Sequence, residues 1–118
     1  MKKFLAVYMG TAAAREKAGW ESMSEKQRQA KQKAGMEAWG QWVKTNQNAI
    51  IDSGTPLGNT KRVSAQGVAD TKNNIVAYVI VQADSHEAAA RLFEKHPHFM
   101  IFPGDSVEVM ECLPMPGA

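Results

Sequence analysis

The sequence predicts an α+β fold in the ferredoxin-like βαββαβ order, an antiparallel sheet with two helices on one face. Three observations carry this expectation. Strand and helix patterns follow one another along all 118 residues with little chain between them, which reads as a single domain, 1–118. The stretch Ile75 to Ala83 is apolar at both alternating positions, as in a strand covered on two sides. Two helices on one side leave the other sheet face bare, and a second copy packed face to face would cover it. The expected assembly is therefore a homodimer forming a dimeric α+β barrel.

Each element has a local reason. Met1 to Gly10 opens as an apolar strand, and Met9-Gly10 cuts the run too early for a signal-peptide core. Thr11 to Gly19 reads as a loop or a frayed helical turn. Ser22 to Asn46 reads as a long helix: Ser22-Met-Ser-Glu25 matches a capping box, and Ser24 with Gln27 offers a second register. Ala30, Ala34, Ala38 and Trp42 recur every four residues beside Gly35, Trp39 and Val43, a stripe expected to lie against the sheet. Gly40 costs about 1 kcal/mol relative to alanine inside a helix, so a packing reason is expected for it.

Ala49 to Gly54 begins a second strand that runs into a turn-rich segment, and Lys61 to Val68 reads as the next strand. Asp70 to Asn74 is dense in turn residues. After the Ile75 to Ala83 strand, Asp84-Ser85 caps a second helix that reaches Lys95, and Pro97 stops it by restricting His96. His98 to Phe102 is an apolar connector, and Ser106 to Leu113 closes the sheet.

Composition narrows the function classes. A net charge of +2 demands no anionic polymer, and the basic cluster Lys26, Arg28, Lys31 and Lys33 lacks the interleaved aromatics that stack on bases, so no nucleic acid is expected. No apolar run approaches the roughly 20 residues that span a bilayer, so no membrane is expected either. The single Cys112 excludes an intrachain disulfide and fits a cytoplasmic protein. It has no CxxC partner and no adjacent histidine that would mark a nucleophile. Gly54 to Gly58 lacks the spacing of a phosphate loop, and no cofactor is assigned.

His96-Pro97-His98 is the most suggestive polar group. Two imidazoles near a helix end suit proton transfer near neutral pH. Two ligands do not make a metal site, no spacing supplies a third donor from Asp52, Glu108 or Glu111, and no metal is assigned. The candidate catalytic residues are His96, His98 and Asp52, which interrupts an apolar strand before Ser53-Gly54. Each has a simpler reading: capping or surface roles for the histidines, and a side-chain-to-backbone turn for the aspartate. Tyr8, Trp39, Trp42 and Phe102 are candidates for an aromatic ligand pocket, against the alternative that they fill the core. The expected pocket lies between the first strand, the end of the long helix and the segment from His96 to Phe102, with Asp52 near its mouth.

The opening Lys3-Phe-Leu-Ala-Val-Tyr-Met9, the Gly54-Thr-Pro-Leu-Gly58 turn followed by Lys61 and Val63, the passage Tyr78-Val-Ile-Val-Gln-Ala-Asp-Ser-His-Glu-Ala88 and the closing Val107-Glu-Val109 carry a likeness over nearly the whole chain. Together they resemble a YCII-related protein of the dimeric α+β barrel superfamily. The resemblance implies the fold and the dimer more than an activity. Two family features are missing. No histidine occurs from Met9 to Asn46, where some members place the histidine of a histidine–aspartate pair, and Val68-Ala-Asp-Thr-Lys72 stands where a related branch has Asp-Gly-Pro-Phe. Two functions follow: a small enzyme using His/Asp acid–base chemistry on a small organic molecule, or a noncatalytic small-ligand-binding or dimeric assembly module.

Overall fold

The computed structural model describes residues 1–117. In chain order the elements are β1 (Lys2–Met9), α1 (Ala12–Lys17), α2 (Glu25–Thr45), β2 (Ile50–Asp52), β3 (Thr60–Ser64), β4 (Gly67–Thr71), β5 (Ile75–Ala83), α3 (His86–Arg91), α4 (Pro97–Met100) and β6 (Ser106–Glu111). Strands β2-β5-β1-β6 form an antiparallel sheet in that order, while β3 and β4 pair only with each other. The fold is thus mixed α+β around an antiparallel sheet.

Alternation along the central strands sorts the side chains. Phe4, Ala6 and Tyr8 of β1 stand opposite Val81, Val79 and Ala77 of β5, and with Ala89 and Phe93 they form the core beneath the helices. Trp39 and Trp42 of α2 and Val107 and Val109 of β6 pack against the same cluster. On the opposite face Leu5 and Val7 lie across from Ile80 and Tyr78, and on their other side from Met110 and Glu108. That face carries no helix-side core residue.

The exit from β2 is fixed by backbone contact with β5. Gly54 takes φ +68°, and a Cβ there would lie 1.7 Å from the carbonyl oxygen of Tyr78, so only glycine closes this turn. The Asp52 carboxylate accepts the Gly54 N–H at 2.9 Å and sets the bend before it.

Several sequence expectations need correction. The long helix uses the second capping register: Ser24 Oγ accepts the Gln27 N–H at 3.1 Å and Gln27 Oε1 accepts the Ser24 N–H at 2.9 Å. Ala30 and Ala34 are exposed rather than packed on the sheet, and the aromatic residues that reach the core, Trp39 and Trp42, lie in the second half of α2. The buried position is Gly35, where a Cβ would stand 2.5 Å from the Phe102 ring; a Cβ at Gly40, by contrast, would meet nothing within 4 Å beyond its own helix, so the expected packing reason for Gly40 is not found. Residues 61–68 are not one strand but cross a hairpin turn after Ser64. The connector after Pro97 is a short helix, entered from Lys95 in a left-handed conformation at φ 56°.

Candidate functional site

Proline at the first position of α4 leaves that turn to be capped from outside, and the cap is a histidine. His96 Nδ1 accepts the backbone N–H of His98 at 3.0 Å. A nitrogen that accepts carries no proton, so the neutral ring is protonated at Nε2. That atom lies 3.3 Å from Tyr8 Oη and donates to it. His96 is 0% exposed and sits edge-on to both Trp39 and Trp42, with ring centroids at 4.5 and 4.7 Å. Burial, reinforced by the neighbouring His98, pushes its pKa down to about 4, so the ring is neutral at physiological pH. The same desolvation raises the Tyr8 phenol far above its ordinary value.

His98 is tied to the backbone as well. Its Nε2 lies 2.8 Å from the Met9 carbonyl oxygen, an atom that can only accept, so the proton is again on Nε2. Gly104 presses against this ring so closely that a Cβ would come within 2.3 Å of it. Burial lowers the proton affinity of His98; the Met9 carbonyl, Asp105 and the Ser106 backbone act in the opposite direction.

The structure therefore brings six of the seven sequence candidates into one aromatic cluster. Tyr8 packs on Trp39, His96 and His98, Trp39 on Phe102, and Trp42 on His96. Trp42 also donates its indole N–H to the Leu92 carbonyl at 2.8 Å, holding the long helix against α3. Asp52 is the exception. It is exposed, its carboxylate serves the Gly54 turn, and it makes no hydrogen bond to either imidazole. A cavity of about 270 Å³ lies beside the end of the long helix, lined by Trp42, Pro97 and Met100, but it touches neither the first strand nor Asp52.

An open cleft lies on the other side of His98. It measures about 450 Å³ and is bounded by Gly10, Ala12 and Arg15, by Val76, and by His98, Phe102 and Gly104. Its dimensions fall in the range of small-molecule sites. The titratable groups on its wall are His98 and Arg15, the latter also bridged to Glu21 at 2.7 Å. Arg15 belongs to no motif in the sequence, where Thr11 to Gly19 reads as a loop or a frayed helical turn; as helix α1, capped by the Thr11 hydroxyl, the segment holds the guanidinium at the cleft. A larger groove of about 720 Å³ lies at the root of the β3–β4 hairpin and touches none of the aromatic cluster. Among the described residues no three histidine, cysteine or acidic side chains are grouped to hold a metal ion, and no helix is long and apolar enough to cross a membrane.

No protein-family profile matches the chain, and no curated protein matches it. Among solved structures it is similar to 5-chloro-2-hydroxyhydroquinone dehydrochlorinase from Burkholderia phenoliruptrix AC1100, determined in complex with 2,5-dihydroxybenzoquinone. The match has 13% identity and a TM-score of 0.51, and covers 92% of this chain and 90% of that one. Identity this low shows a shared fold and nothing finer. The fold of the dehydrochlorinase is nevertheless matched from end to end rather than over one motif.

Proposed function

We propose that this chain is a YCII-related protein that pairs as a dimeric α+β barrel of ferredoxin-like topology, binds a small organic anion in the His98 cleft and moves a proton on it. The observation that carries this reading is the placement of a neutral, almost buried imidazole and a guanidinium on the wall of one cleft of small-molecule size. With Nε2–H spent on the Met9 carbonyl, Nδ1 is the atom of His98 left to accept a proton, and Arg15 supplies the charge that holds an anionic oxygen. His96 positions rather than reacts: its Nδ1 fixes the backbone at His98, and its own ring is closed off by Tyr8, Trp39 and Trp42. The dihydroxyquinone bound to the enzyme that shares this fold supplies the first compound to test.

The competing reading is a noncatalytic binding module. It is favoured by one observation: neither imidazole hydrogen-bonds a carboxylate, so no second group drives the proton transfer.

Titration with 2,5-dihydroxybenzoquinone and simple hydroxybenzoates, followed by amide NMR shifts, separates these readings. Shifts at Gly10, Arg15, Val76 and Gly104 mark binding in the cleft. Incorporation of solvent deuterium into a bound ligand carbon, abolished in His98→Gln with binding retained, supports proton transfer. Binding without exchange in the parent protein leaves the module, and no shift in the cleft overturns both.

A further inference from the structure

The molecule is unusually spread for its length. Its Cα radius of gyration is 16.3 Å, against roughly 13.5 Å for a compact chain of this size, and its extents are 55 × 42 × 19 Å. Part of the excess is the polar first half of α2, which water solvates well. The β3–β4 hairpin also stands off the core, its main contacts being between its own two strands. Every residue from 61 to 70 is exposed, and Val63 and Val68, directly opposite one another, are 76% and 68% exposed. A two-stranded ribbon alone in water is marginal, and a cross-strand valine pair contributes most when something covers it.

We infer that this hairpin is a dimerisation arm whose Val63–Val68 face lies along the β6 edge of a second copy of the chain. The inference rests on the homodimer proposed above and adds to it a contact that packing of sheet faces does not require.

Three features select a second copy as the occupant. The first is charge. Lys61, on the Val63 face, is already bridged to Asp70, which leaves Arg62 and Lys72 as the hairpin's cations outside an ion pair, whereas residues 105–111 carry Asp105, Glu108 and Glu111 with no cation. The second is position. The hairpin leaves the sheet between β2 and β5, and β6 is the opposite edge of the order β2-β5-β1-β6, so one chain's arm lies away from its own β6. A two-fold axis brings each arm to the other copy's edge and closes the assembly, with the same pair of surfaces used twice. The third is continuity. Exposed Met110 and half-buried Leu5 share the face away from the helices, so an arm reaching β6 continues the apolar part of that face.

The test uses the full chain in a Cys112→Ser background, which removes the one native thiol. Sedimentation equilibrium gives the dimer Kd of this parent and of Val63→Asp and Glu108→Arg, and circular dichroism checks that each variant folds. The arm predicts a dimer whose Kd rises at least tenfold in both variants. It also predicts a disulfide between subunits when Val68→Cys and Glu108→Cys are combined. A parent that is monomeric at micromolar concentration overturns the dimer and the arm together. A dimeric parent whose Kd is unchanged in Val63→Asp, and which forms no disulfide between these positions, overturns the arm and leaves the sheet-face dimer standing.

Discussion

His96 Nδ1 accepts the backbone N–H of His98 at 3.0 Å, so one histidine decides where the other is held. The bond requires His96 unprotonated. Protonation at Nδ1 would replace the acceptor with a second donor and place a charge among Tyr8, Trp39 and Trp42.

Stability should therefore depend on pH between about 6.5 and 4. In the unfolded chain His96 binds a proton near pH 6.5, while in the folded chain burial pushes its pKa down to about 4. The unfolded state binds more protons throughout that window, so stability is full above it and falls as the pH drops, by about 3 kcal/mol for this group. His98, lowered in the same direction, adds to the slope. Urea midpoints across this range should fall for the parent and fall less steeply for His96→Asn, which keeps a capping acceptor without the titration. Parallel curves would show that the buried imidazole is not the source.

Gly35 should be the intolerant position of α2. A methyl there would meet the Phe102 ring at 2.5 Å, and overpacking of this kind costs about 1–3 kcal/mol. Ala34→Leu, one residue away but exposed, should leave the thermal midpoint nearly unchanged. The reverse pattern in two melting curves would place the helix face wrongly.

Ser24→Ala removes an N-cap normally worth about 1 kcal/mol, yet the turns it caps are exposed and do not join the core. The loss should appear as faster amide hydrogen exchange over residues 25–34, with little change in global unfolding. Uniform acceleration across α2 would mean that the cap supports the whole helix.

Asp52 offers a check on the catalytic candidates. Asp52→Asn keeps an oxygen for the Gly54 N–H and should preserve stability and ligand binding, whereas Asp52→Ala should lower stability by about 1 kcal/mol. A selective loss of turnover in Asp52→Asn would return the carboxylate to the chemistry.

Much of the fold was legible because periodicity reports burial directly. Ile75 to Ala83 showed apolar residues on both faces, and the strand has those bounds. The hairpin is only faintly written, since Ala65 and Gln66 are weak turn formers and its signals are no more than Gly67 and the change of parity between Val63 and Val68. The helix stripe misled for another reason: spacing identifies a face, but only the sheet's width decides how far along that face packing extends. At the site, His96, His98, Tyr8, Trp39, Trp42 and Phe102 were recognisable as chemistry-bearing residues, and the structure gathers them. Their partners were not recognisable. Backbone atoms of Met9 and His98, which no side-chain pattern encodes, fix both tautomers.

The two indoles flanking His96 give the protein an optical reporter of its own. Imidazolium accepts an electron from an excited indole far more readily than neutral imidazole does, and Trp39 and Trp42 stand with their ring centroids 4.5 and 4.7 Å from the imidazole. At neutral pH two of the three tryptophans, Trp39 and Trp42, emit beside an uncharged ring, while Trp20 lies outside this cluster. While the chain stays folded, acidification that reaches His96 dims these two, so the protonation state of the innermost polar residue can be followed without a label.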